Sequence, residues 1–218
     1  LRKARSLAIM SFQGFPEAAL DFYDDLEVEN TKTFWAEHKH IWESAVRDPM
    51  RALTTALAEE FGEARIYRPY RDVRFAKDKT PYKTHQGAFV RVGEALGYYV
   101  EVSSSGVRAG VGFYRADPDR LAAYRSAVAG PAGDVLARLV ADAVGSGLVL
   151  TGDTLKTAPR GYDRDHPRID LLRHRSLTLM RDHGFAPIIH TPEILDRVRA
   201  DWRAGRPVVE WLEGALAV

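Results

Sequence analysis

Seven basic residues fall within nineteen positions between Arg65 and Lys83, in the string R-I-Y-R-P-Y-R-D-V-R-F-A-K-D-K-T-P-Y-K. Guanidinium forks, ammonium groups, threonine hydroxyls and free turn amides are the donors that bind phosphate or carboxylate. Arg71, Arg74, Lys77, Lys79 and Lys83 are the anion ligands this spacing suggests. Arg68 precedes a proline and is pushed into an extended conformation. Val73 and Phe75 alternate against Asp72 and Arg74, which predicts a strand with its charges turned from the core and Asp72 beside Arg74. Lys77 to Thr80 then read as a turn closed by Pro81, with Lys83, Thr84 and His85 leading into the next strand. The competing reading is a solvated charged strand whose cations pair with acids elsewhere.

A second basic cluster follows at Lys156, Arg160, Arg164, Arg168, Arg173 and Arg175, interleaved with Asp163, Asp165 and Asp170. Its segment L-K-T-A-P-R-G-Y-D-R-D-H-P has the Pro and Gly density of an ordered loop, where binding residues concentrate. If both clusters face one cleft they form a deep anion site, with Arg160 as the second cluster's contribution. Pairing of Asp165 and Asp170 with the arginines is the alternative. His85, Asp165 and His166 stand beside the clusters and are the candidate proton carriers. His38 lies on an apolar helical stripe and reads as a core residue, while His174, His183 and His190 have no evident partner in the letters.

No H-E-x-x-H, H-x-H or carboxylate triad at ligand spacing is present, so no metal is expected. Phosphate-cradling loops of the G-x-x-x-x-G-K-[ST] or G-x-G-x-x-G type are missing, as is the G-x-S-x-G elbow, and the letters name no cofactor. The chain has no cysteine, which excludes disulfides, thiolate nucleophiles and iron-sulfur clusters. Its 31 basic and 30 acidic residues balance to +1, too weak a field to imply nucleic acid. The aromatics sit at helical core positions rather than on a strand platform for stacking bases. No apolar run approaches the roughly 18 residues that span a bilayer, so no membrane is expected and the cytoplasm is the default location.

These groups need a scaffold, and 218 residues with 45% hydrophobic and 28% charged content are ordinary for one globular domain. Residues 10–218 read as a single α+β domain, with 1–9 an upstream extension before a native start at Met10. A helix is expected at 16–26. Thr31 can cap another whose stripe is Phe34, Trp35, His38, Ile41, Trp42, Ala45 and Val46, and Asp48-Pro49 a third ending at Gly62. Strands are expected at 87–92, 98–103 and 107–113, the last two joined by a turn of two or four residues so that both apolar sets share a face. Asp117-Pro118 opens a helix over 121–128, residues 135–144 form the next, Thr191-Pro192 starts another, and Pro207 opens a closing helix. Segments 148–150 and 176–180 are short enough to be further strands. The fold class is therefore α+β, an antiparallel meander flanked by N-terminal and C-terminal helices.

Several stretches together resemble a known family, domain of unknown function 2461: S-F-Q-G-F-P-E-A-A-L-D-F-Y, E-N-T-K-T-F-W-A-E-H-K, R-P-Y-R-D-V-R-F-A-K-D-K-T-P-Y-K-T-H, L-K-T-A-P-R-G-Y-D-R-D-H-P and R-P-V-V-E-W-L. The resemblance runs from Ser11 nearly to the end and implies no reaction, cofactor or site residues. The functional expectation thus comes from charge alone: a domain that binds a small anionic ligand through its two Arg/Lys clusters, as a binder or an enzyme. An interaction module docking an acidic protein partner is the alternative, and weak nucleic-acid binding ranks behind both.

Overall fold

The computed structural model describes residues 11–74 and 77–217, so the expected extension at 1–9 and start at Met10 lie outside the described residues. In chain order the elements are α1 (Glu17–Val28), α2 (Lys32–Ile41), a π-helical segment (Trp42–Arg47), α3 (Asp48–Phe61), β1 (Ala64–Ile66), β2 (His85–Gly93), β3 (Leu96–Ser103) and β4 (Gly106–Phe113). There follow α4 (Pro118–Ala129), α5 (Ala132–Gly145), β5 (Val149–Thr151), α6 (Ile169–Leu172), β6 (Leu177–Gly184), a 3-10 turn (Pro187–His190) and α7 (Glu193–Leu216). The fold is α+β: a six-stranded antiparallel open sheet of order β1-β2-β3-β4-β6-β5, with helices at both ends of the chain. The expected meander is β2-β3-β4, and its last turn has two residues, Ser104 and Ser105. Val149 faces Met180 and Thr151 faces Thr178 across the β5-β6 pair.

Caps formed where the sequence offers them. Thr31 Oγ1 accepts from Phe34 N at 3.1 Å, and Asp117 Oδ1 accepts from Asp119 N and Arg120 N at 3.0 and 2.9 Å. Two expected boundaries did not. Asp48 does not begin a new helix, because α2, the π segment and α3 are continuous, and Asp48 instead pairs with Arg47 Nε at 2.9 Å. Pro49 has no N–H to give the Ala45 carbonyl, and the preceding turn widens so that Asp48 N–H reaches back five residues to Glu43 O. Pro207 likewise lies inside α7 rather than opening a helix. The buried stripe of Val198, Trp202, Gly205, Val208 and Leu212 continues across it, and packing of that stripe outweighs one missing hydrogen bond.

Contacts within the chain gather into two compact units. Residues 11–88, 101–107 and 183–197 form the first, whose centre is aromatic. Phe22 lies 5.3 Å from Tyr23 and 5.9 Å from Trp35, and Trp35 stacks on Tyr82 at 4.3 Å with planes 8° apart. Residues 89–100, 108–182 and 198–217 form the second. There Phe113 meets Tyr124 edge-on at 5.4 Å, and fully buried Trp202 donates its Nε1–H to Tyr99 O at 3.0 Å.

Candidate anion-binding site

The first basic cluster belongs to an antiparallel arm built outside the regular strands of the first unit. Tyr67 N donates to Gly87 O at 3.0 Å, Lys83 N to Pro69 O at 2.8 Å and Arg71 N to Pro81 O at 2.9 Å, around a Tyr70–Tyr82 bridge. Pro69 and Pro81 can only accept, so the arm uses their carbonyls and breaks regular pairing. Asn30, between α1 and α2, fixes it from the side: its Nδ2 donates to Tyr82 O at 3.0 Å and its Oδ1 accepts from Tyr82 N at 3.1 Å. Buried Gln86 donates its Nε2–H to Tyr67 O at 2.7 Å and Gly87 O at 3.0 Å.

Beyond the bridge the expected strand through Val73 does not form, and Phe75 lies outside the described residues. Aspartates close local turns that compete with a ladder. Asp78 accepts from Thr80 N at 2.9 Å, and Arg71 donates to Asp78 and to Thr80 Oγ1, the latter at 2.6 Å. Arg74 does stand beside Asp72, in a two-point pair at 2.9 and 2.7 Å. Lys79 Nζ donates to Val73 O at 2.9 Å, and Lys77 is exposed. Asp78 is held below the usual carboxylate range by the Thr80 amide first and by Thr80 Oγ1 and Arg71 after it, and Asp72 is lowered chiefly by Arg74.

Where the arm meets β2, Arg71, Asp72, Lys83, Thr84 and His85 line an open cavity of about 420 Å³. The Lys83 ammonium sits 5.2 Å from the centre of the Tyr67 ring, and the Arg65 guanidinium approaches the same ring at 6.0 Å. Among the described residues no carboxylate lies within ion-pair distance of Arg65, Arg68 or Lys83. Burial lowers the Lys83 pKa, and the charges of Arg68 and Arg65 lower it further. Of the expected ligands, Arg71 and Lys83 meet at this cavity with His85, while Arg74 and Lys79 are committed to neighbours on the arm. Arg65 and Arg68 were counted in the basic string but not among the expected ligands, and Tyr67 was not singled out, although R-x-Y-R around an aromatic was the signal that could have included them.

The second cluster lies in the other unit and mostly holds its own loops together. Arg168 donates to Val128 O, Ala129 O and Gly130 O at 2.7, 2.8 and 3.0 Å, closing the end of α4, and reaches Asp134 in the first turn of α5. Arg173 Nε donates to Leu155 O at 2.6 Å, and Arg175 pairs with Asp153 at 2.6 Å. His166 Nδ1 accepts from Arg168 N at 3.0 Å, Asp165 N donates to Asp163 Oδ1 at 2.9 Å, and Arg160 is exposed in the preceding turn. A cavity of about 450 Å³ in this unit is lined by Glu94, Asp117, Asp119, Arg120, Leu216 and Ala217; Arg120 is taken up by Leu216 O at 3.1 Å and Glu94 O at 2.8 Å.

Three further histidines have structural partners. His38 is half-buried rather than core, stacks on Phe34 at 4.1 Å and donates to Phe34 O at 2.9 Å. His190 donates to Phe15 O at 2.7 Å, and buried His174 donates to Ser176 O at 2.8 Å. Among the described residues no group of three or more acidic or histidine side chains is arranged to hold a metal ion, and no helix is long and apolar enough to cross a membrane. A family model described as "Conserved hypothetical protein (DUF2461)" matches residues 18–211. No curated protein matches the chain.

Proposed function

The chain belongs to the family of conserved hypothetical proteins (DUF2461), whose description names no reaction, and from its own side chains we propose that it binds a small phosphate- or carboxylate-bearing ligand at the Arg71–Lys83–His85 cavity. One observation carries this reading: Arg65, Arg68 and Lys83 gather with no carboxylate in ion-pair range among the described residues. Most other cations of the two basic clusters have an acid or a carbonyl partner. Asp72 lines the same cavity and feels the charge of Arg68, but its oxygens are taken up by Arg74, so the three cations repel one another and an arriving anion relieves that repulsion. Thr84 supplies a hydroxyl, and Arg71 supplies a guanidinium held in place by Asp78 and Thr80.

The test is a melting curve in rising inorganic phosphate at ionic strength held constant with chloride. The expected outcome is a midpoint that climbs with phosphate in the unaltered chain, and a phosphate affinity about tenfold weaker or worse in Lys83→Ala and Arg68→Ala. A midpoint that ignores phosphate, or that responds equally in all three proteins, ends the reading. A second reading, docking of an acidic protein segment, draws on Tyr70, whose ring remains 47% exposed beside Arg71. Under it, polyglutamate raises the midpoint, salt removes the effect, and phosphate has none.

A further inference from the structure

Lys83 offers more than a charge. Its main chain is pinned through Pro69 O, and its neighbour Tyr82 is gripped on both sides by Asn30. Its side chain is half-buried over Tyr67, lines the cavity and has no carboxylate partner among the described residues. Two guanidiniums add to the repulsion that disfavours its ammonium form, after burial itself. The guanidiniums stay charged under all ordinary conditions, whereas the lysine can give up its proton. A cavity wall that holds one fixed cation for an anion, Arg71, and one releasable amine, Lys83, is suited to carbonyl chemistry.

We infer that this site, on the anion-binding reading above, takes an aldehyde or ketone carrying a carboxylate or phosphate next to its carbonyl, and that Lys83 joins it as an imine. The lysine nitrogen lone pair bonds to the carbonyl carbon while the π pair moves to oxygen. That oxygen gains a proton and the nitrogen loses one, giving a carbinolamine. The hydroxyl then leaves with a proton as water while the nitrogen sheds its second hydrogen and the C=N bond forms. The sum is amine plus carbonyl to imine plus water, with no change of oxidation state. His85 lines the same cavity and is the side chain there suited to relaying these protons.

The experiment treats the full chain with glyoxylate, the smallest anionic aldehyde, in the presence of cyanoborohydride, which reduces an imine to a stable carboxymethyl-lysine. Peptide mapping then locates the adduct. Lys83 is expected to be labelled about tenfold faster than any other lysine, with inorganic phosphate slowing it and neutral propionaldehyde showing no such preference. Lys83→Arg keeps the cation, so it should lose the fast adduct while still being stabilised by phosphate. Labelling that follows exposure across all lysines overturns the inference, as does equal preference with propionaldehyde. Phosphate stabilisation without an adduct at Lys83 removes the imine alone, and loss of the phosphate response removes the anion site as well.

Discussion

A single arginine, Arg168, shows how a charge that looks available in a sequence becomes part of the frame. Its guanidinium satisfies three carbonyls at the end of α4 and pairs with Asp134, and its side chain is only 14% exposed. Removing it leaves those carbonyls short of donors, so Arg168→Ala should destabilise the chain by about 2–3 kcal/mol, read from urea unfolding. Arg168→Lys should recover only part, because an ammonium lacks the planar fork. Lys83 presents the opposite case, a cation with an aromatic neighbour and, among the described residues, no acid in ion-pair range. The two are alike in the letters, each a basic residue two or three positions from an aspartate or proline. What separates them is which carbonyls and carboxylates the fold brings near, and that information is spread over segments forty residues apart.

At the scale of elements, most of the architecture was legible because it rests on local periodicity. A Thr cap with its 3.6-residue stripe marked α2, an Asp cap marked α4, and two-residue alternation marked β3 and β4, beside which β2 completes the meander. Both misread boundaries were prolines. A proline at a helix's first turn and one inside a helix look the same in sequence, and only the buried stripes flanking Pro49 and Pro207 show that the helix continues. The strand expected through Val73 failed for a different reason, since Asp72 and Asp78 had closer partners in side chain and turn than in any ladder.

Alternation also concealed a steric demand within β4. Gly112 has φ +132°, and a Cβ there would sit 2.1 Å from Leu177 O. Gly112→Ala should therefore cost about 3 kcal/mol or more, with a clear fall in melting temperature, whereas Gly145→Ala, with open space around it, should have little effect.

For the molecule as a whole, near-neutral net charge conceals a pH response set by a few groups. Burial holds His174 neutral below its ordinary value of 6.5, and its donated hydrogen bond to Ser176 O only partly opposes this. Between the folded value and 6.5 the unfolded chain binds more protons than the folded one, so this contribution to stability is present above 6.5 and is lost as pH falls. Just below pH 7, ahead of the range where the lowered Asp72 and Asp78 carboxyls titrate, unfolding free energy should decline with a slope that His174→Asn, which keeps a donor for Ser176, makes shallower. The balance of 31 cations and 30 anions gave no hint of this, because burial of one imidazole is a property of packing.

The grip of Asn30 on Tyr82 spans 52 positions and leaves little chemical latitude at position 30. The side-chain amide meets the main chain as donor and acceptor at once. Aspartate would keep the acceptor but set a second oxygen against the Tyr82 carbonyl, and glutamine would overshoot by a methylene. Any change at position 30 would therefore leave both main-chain groups of Tyr82 without their side-chain partner, next to the residue that carries the cavity's amine.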